Sequence, residues 1–205
     1  MDRLKSHALG RLAIKLRAQS RQASRLSPLV FMTDPNRMPD LAVAVAKLPR
    51  GCAVIYRHFG EPRREINAHL LREVTWQQQQ QLLIGGGDME LAQHVKACGV
   101  HFQRDAHLKS PRDLRGNNSR LIITMAGLKS EDYKAPLDCL DGLFVSSIFP
   151  SQSPSAGAPI GVAALKNICR KLDVPIFALG GVSAQTAPAL IGSGACGFAA
   201  IAGLL

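Results

Sequence analysis

Short apolar runs recur along this chain, separated by segments that carry helix start and stop signals. Eight such runs can be read. They are Pro28 to Met32, Gly51 to Tyr56, Leu82 to Ile84, Val100 to Phe102, Leu121 to Met125, Gly142 to Val145, a run opening at Val174 and a run opening at Ala195. Nearly every position in these runs is apolar, His101 and Thr124 aside, so both faces of the strand must be covered. Strands buried on both faces and joined through helices form parallel sheets. Eight of these units in 205 residues predict an α/β fold, a closed (β/α)8 TIM barrel.

The intervening segments support that alternation. Pro39 and Asp40 open a helix over Leu41 to Leu48. Pro62 opens a longer one through Trp76, with Ile66, Leu70 and Val74 spaced by four as its apolar face. Asp88 is placed to cap Met89 to Ala97, and Ser130 to cap a helix from Glu131 to about Leu137. Ser110, Pro111 and Asp113 mark a short helix ending near Gly116. A Ser/Pro/Gly-rich loop from Pro150 to Gly161 precedes a helix to Leu172. Pro188 belongs in the first turn of a short helix, with Thr186 a better cap than Ser183 and Gly192 or Gly194 at its end. The chain stops just after the eighth strand, so the eighth helix is expected to be vestigial, with the N-terminal segment covering the gap.

That segment, residues 1–27, reads as a basic helical extension to a barrel domain of residues 28–205. It holds seven basic residues against Asp2 alone, within a chain of net charge +10. Leu9, Leu12, Ala13, Leu16 and Ala23 give it a partly helical apolar face. No aromatic residues interleave with the charges, so it is read as a helix lying on the domain, and nucleic acid is not expected. No apolar run is long enough to span a membrane and no signal core follows the N-terminus, so a cytoplasmic protein is expected. Cys52, Cys98, Cys139, Cys169 and Cys196 are scattered and odd in number, which argues against a disulfide framework or a cysteine zinc site.

The glycines after the seventh and eighth strands carry the functional signal. Gly180-Gly181 and the small-residue turn at Ile201-Ala202 stand where barrels of this class bind phosphate. Glycine lets backbone N–H groups converge on an anion.

Four stretches then resemble a known family, thiamine phosphate synthase and its relative TenI, the thiazole tautomerase. They are Val100-His-Phe-Gln-Arg-Asp105, Asp141-Gly-Leu-Phe-Val-Ser-Ser-Ile-Phe-Pro150 with Ser151 and Ser153, Pro175-Ile-Phe-Ala-Leu-Gly-Gly-Val182, and Gly194-Ala-Cys-Gly-Phe-Ala-Ala-Ile201. The family fold is a (β/α)8 barrel. The resemblance implies a transferase that couples hydroxyethylthiazole phosphate to an aminopyrimidine pyrophosphate, with Mg²⁺ assisting the departure of pyrophosphate.

Transferred residue by residue, the resemblance implies that Gly180, Gly181, Ile201 and Ala202 bind the thiazole phosphate through backbone N–H groups. Ser151 and Ser153 fall where the family places hydroxyls after strand six. Arg57 matches the arginine of a Gln-x-Arg-x-Lys pattern whose other positions are here Ile55 and Phe59. It stands as the candidate pyrophosphate ligand. Asp105 matches one family magnesium aspartate; the other falls in Gly85-Gly-Gly87, with Asp88 one residue on. The family serine after strand five is lost near Met125, and its lysine after strand six becomes Pro154. The phosphate end of the site is thus largely retained and the pyrimidine end eroded.

Two alternatives follow: a TenI-like tautomerase, for which no histidine stands near Gly127, and a catalytically silent barrel that binds a phosphorylated ligand. His94, His101 and His107 are read as one structural and two surface histidines. His58 alternates away from Arg57 and is a weak proton-shuttle candidate. The partner expected is a phosphorylated thiazole or a thiamine-related small molecule, and a homo-oligomer is a possible assembly.

Overall fold

Eight parallel strands close on themselves in sequence order, each hydrogen-bonded to the next and the last to the first. The computed structural model describes residues 3–35, 40–104, 114–116, 118–127, 137, 140–151, 153 and 157–201. The strands are β1 Leu29–Met32, β2 Ala53–Tyr56, β3 Gln81–Gly85, β4 Gly99–Phe102, β5 Ile122–Ala126, β6 Gly142–Val145, β7 Ile176–Ala178 and β8 Gly197–Ala200. The helices are α1 Arg3–Ala18, α2 Leu41–Ala46, α3 Arg64–Gln77, α4 Met89–His94 and α5 Gly161–Lys171. A single 3-10 turn, Ala187–Leu190, joins β7 to β8. The helices expected after Ser110 and Ser130 lie largely outside the described residues.

Strand alternation sends one set of side chains into the barrel and the other under the helices. Val30, Met32, Ala53, Ile55, Leu83, Ile122, Phe144, Phe177 and Ala199 fill the interior, with Leu26 and Cys196 in the same cluster. Large and small residues interlock there. Phe177 pairs in register with Phe144 on one side and Gly197 on the other, and the two phenyl rings stack at 5.2 Å. A Cβ on Gly142 or Gly197 would lie 3.1 or 2.8 Å from the Phe177 ring, so those glycines make the space that the ring occupies. The outward set, including Phe31, Val54, Tyr56, Ile84, Val100, Leu143 and Phe198, forms the second core beneath the helices.

Helix α1 packs on β1, β8 and the 3-10 turn, closing the barrel's outer layer where the first and last strands meet. Leu9, Ala13 and Leu16 are its buried face. Arg17 then fastens the segment that follows: Nε donates to the Cys196 carbonyl at 3.2 Å, Nη1 to the Ser24 carbonyl at 3.0 Å and Nη2 to that of Leu26.

Two expectations are corrected. Ile66 and Leu70 are exposed, and α3 instead turns Ala68, Leu71 and Thr75 inward. The spacing by four marked a stripe, but the small Ala68 is what lets the helix approach β2 and β3. Thr186 does stand at the cap position of the β7–β8 connection, but the helix is only one 3-10 turn. Its hydroxyl donates to the Gly181 carbonyl at 2.8 Å and accepts the Ser183 N–H at 2.9 Å. No described helix is long and apolar enough to cross a membrane.

Candidate active site

The C-terminal ends of β6 and β7 place two of the expected binding loops against each other. The Leu179 N–H donates to the Val145 carbonyl at 2.9 Å, the Ile148 N–H to Leu179 at 2.9 Å and the Phe149 N–H to Gly180 at 3.0 Å. Gly180 and Gly181 have φ of +91° and +66°. A Cβ on Gly180 would lie 2.8 Å from the Ser147 Cα, and one on Gly181 only 2.3 Å from the Pro150 carbonyl oxygen. Both positions therefore require glycine twice over, for conformation and for close approach. The amides of Gly180 and Gly181 make no hydrogen bond to another described residue. Ser151 lies in the neighbouring loop, where its Oγ accepts the Ser153 N–H at 3.3 Å. Ile201 is half-buried at the end of β8, and Ala202 lies outside the described residues.

Arg57 leaves the end of β2 toward the interior. Thr33, fully buried after β1, accepts the Arg57 N–H at 2.8 Å and fixes the backbone there. Among the described residues the guanidinium has one hydrogen-bond contact, a weak one of 3.7 Å to the Met32 sulfur. Burial draws its pKa below the ordinary arginine value, and the charge of Asp34 partly restores it. Arginine stays charged under such shifts, so a cation whose hydrogen-bond contact among the described residues is only a sulfur stands at the barrel mouth.

His101, on β4, sits deeper in the interior. Its Nδ1 is 2.9 Å from the Thr124 hydroxyl on β5, which also donates to the Val100 carbonyl at 3.3 Å. Its ring meets Phe144 edge-on at 5.2 Å. Burial, and then the charge of Arg57, push its pKa down to about 3, so the ring is neutral. His58 points the other way, over Tyr56 at 5.0 Å, and its Nε2 is buried without a hydrogen-bond partner among the described residues. It does not share the interior with Arg57.

The turn after β3 is packed against two aromatic rings. A Cβ on Gly85 would come within 3.3 Å of the Phe59 ring, one on Gly86 within 2.9 Å, and one on Gly87 within 2.6 Å of the Phe102 ring. Phe59, which the resemblance sets at the family's lysine position, thus packs on Gly85 and Gly86, which it sets at the Asn-Asp position. Phe59 also lies under the Arg64 guanidinium, 5.9 Å from its centroid.

Asp88 is held by its neighbours. Oδ1 accepts the Leu91 N–H at 3.0 Å as the cap of α4, and Oδ2 pairs with Arg64, which also donates to the Gly85 carbonyl at 3.0 Å. Burial raises its carboxyl pKa, but the Leu91 N–H and Arg64 outweigh that and hold it below the usual range. Its side chain lines a cavity of about 390 Å³ with residues of α3 and α4. With both oxygens engaged there, Asp88 does not fit a magnesium ligand at the barrel mouth. Asp105, the other expected ligand, lies outside the described residues.

The Asp141 carboxylate, inside one of the four resembling stretches, works at the opposite end of the barrel. Arg25 grips both of its oxygens at 2.7 and 2.9 Å, and Arg115 and the Ile123 N–H reach Oδ2 at 2.9 and 2.8 Å. This anchor ties the N-terminal segment to the bottom of β5 and β6. Its partners are remote in sequence, and only a fold could reveal them.

Comparison with known proteins agrees with this architecture. The family model described as thiamine monophosphate synthase matches residues 29–204. A thiamine-phosphate synthase of Alcanivorax borkumensis is 33% identical over 184 residues, covering 86% of this chain and 84% of that protein. One of Acidithiobacillus ferrooxidans is 30% identical and covers 87% of each. The solved thiamine phosphate pyrophosphorylase of Pyrococcus furiosus superposes with a TM-score of 0.66 at 22% identity, over 93% of this chain and 87% of that one.

Proposed function

Because the chain belongs to the thiamine monophosphate synthase family, we propose that it couples hydroxyethylthiazole phosphate to an aminopyrimidine pyrophosphate. The observation that carries this reading is the clasp between the β6 and β7 loops. It holds the Gly180 and Gly181 amides at the rim where phosphate binds in such barrels. The Ser151 and Ser153 hydroxyls and Ile201 extend the thiazole-phosphate end, to which the resemblance also assigns Ala202.

In the coupling, the thiazole nitrogen forms a bond to the pyrimidine methylene carbon as the bond from that carbon to pyrophosphate oxygen breaks. The electron pair leaves with pyrophosphate. Arg57 binds the departing group bidentately and offsets its growing charge. The neutral His101 and the apolar interior beneath it keep water from the reacting carbon. No step is assigned to magnesium, since Asp88 is committed elsewhere; an ion brought by the substrate phosphates would rest on Asp105.

A second reading, a silent barrel that binds the phosphorylated thiazole, draws on the packing of Phe59 over Gly85 and Gly86. Incubation with both phosphorylated precursors and Mg²⁺ tests the proposal. Thiamine phosphate and pyrophosphate released in equal amounts support it. Binding of the thiazole phosphate without turnover selects the silent barrel. Absence of both rejects the two readings together.

A further inference from the structure

Outside the barrel, α3 and α4 bring together three metal-ligating side chains that the coupling reaction does not use. Glu65 and His69 are one helical turn apart on α3, and His94 closes α4 beside them. His94 Nε2 is 3.1 Å from Glu65 Oε1. The His69 and His94 rings meet edge-on at 5.1 Å, and all three ligand atoms lie within 4.8 Å of one another.

We propose that Glu65, His69 and His94 form a surface site for a divalent transition metal of zinc type. Tetrahedral bonds of about 2.0–2.2 Å place ligand atoms roughly 3.4 Å apart. The Glu65–His94 edge is already at that spacing. The remaining approach is at most about 1.4 Å, the difference between 4.8 Å and the tetrahedral spacing, within the reach of side-chain rotation at an exposed site. Two imidazoles with one carboxylate suit zinc, copper or nickel and disfavour magnesium and calcium, which require oxygen donors. The fourth position faces the solvent, open to water or an outside donor. The neighbouring Arg64 binds Asp88 and the Gly85 carbonyl, so a metal here would bolt α3 to α4 next to the turn that follows β3.

The site is on the outer surface and does not depend on the proposed reaction. Its test uses the untagged, metal-free full chain. Calorimetric titration with Zn²⁺ is expected to give one ion per chain and a rise in Tm. His69→Ala and His94→Ala should each weaken binding by about tenfold or more, while leaving the metal-free Tm unchanged because both side chains are exposed. Cysteines are poor competitors where burial pushes the thiol pKa up to about 12, as at Cys52 and Cys169. No stoichiometric binding, affinity unchanged in both variants, or an equal Tm shift with Mg²⁺ would overturn the site.

Discussion

His101 Nδ1 lies 2.9 Å from the Thr124 hydroxyl inside the barrel, and the ring is kept neutral there. An unfolded histidine takes up a proton as pH falls through its ordinary value of 6.5, whereas the folded one resists until about 3. Between those values the unfolded chain holds more protons, so stability falls as the solution is acidified. The slope is up to about 1.4 kcal/mol per pH unit, with no contribution above 6.5. Urea midpoints at pH 7 and pH 5 should show the wild type losing about 2 kcal/mol more than His101→Gln. Equal losses would remove His101 as the source.

The Asp141 carboxylate accepts from two arginines and one backbone amide while its side chain is only 8% exposed. Asp141→Ala is expected to cost about 2–3 kcal/mol, since it leaves the buried Ile123 amide without its acceptor and removes one partner from two partly exposed arginines. Arg25→Ala should cost about 1 kcal/mol, because that side chain is 42% exposed and its charge is screened. Chemical denaturation of the two variants checks the order; a larger loss for Arg25→Ala would contradict the anchoring role of the carboxylate.

Replacing Gly181 by alanine puts a methyl group 2.3 Å from the Pro150 carbonyl at a φ of +66°. The clasp between the two loops must then open. Gly192→Ala, at a φ of +80° with open space around it, carries the backbone strain without the clash. Thiazole phosphate affinity is therefore expected to drop about tenfold or more for Gly181→Ala and to stay unchanged for Gly192→Ala. Isothermal titration of both variants makes the comparison.

Arg57 offers a cation at the mouth on the side away from the glycine clasp. Arg57→Ala should raise the KM for the pyrimidine pyrophosphate about 10- to 100-fold, the worth of a charge-assisted hydrogen-bond pair. It should leave thiazole phosphate binding nearly unchanged. Steady-state kinetics with each substrate varied in turn separates the two; equal effects on both would reject the assignment.

The strand pattern was legible because a barrel strand must be apolar on both faces, and β6 ran from Gly142 to Val145 as its sequence suggested. The Asp88 cap was legible too, since it depends only on the next three residues. Its pairing with Arg64 was not, and that pairing decides whether the carboxylate is open to a cation. The inward face of α3 was misread because Ile66 and Leu70 outweigh Ala68 in hydrophobicity, while packing against a strand selects for smallness. Phe59 over the Gly85-Gly86 turn, the Asp141 anchor and the Glu65–His69–His94 cluster all join separate βα units or the N-terminal segment. Of these, only the four-residue spacing of Glu65 and His69 left a trace in the sequence.

The most direct measurement follows the backbone amides during titration with hydroxyethylthiazole phosphate. If the clasped glycine turn receives the phosphate, the amide resonances of Gly180, Gly181 and Ile201 shift first and saturate together, and inorganic phosphate moves the same three at higher concentration. Saturable binding that leaves Gly180 and Gly181 unmoved would contradict the assignment of the phosphate to this turn.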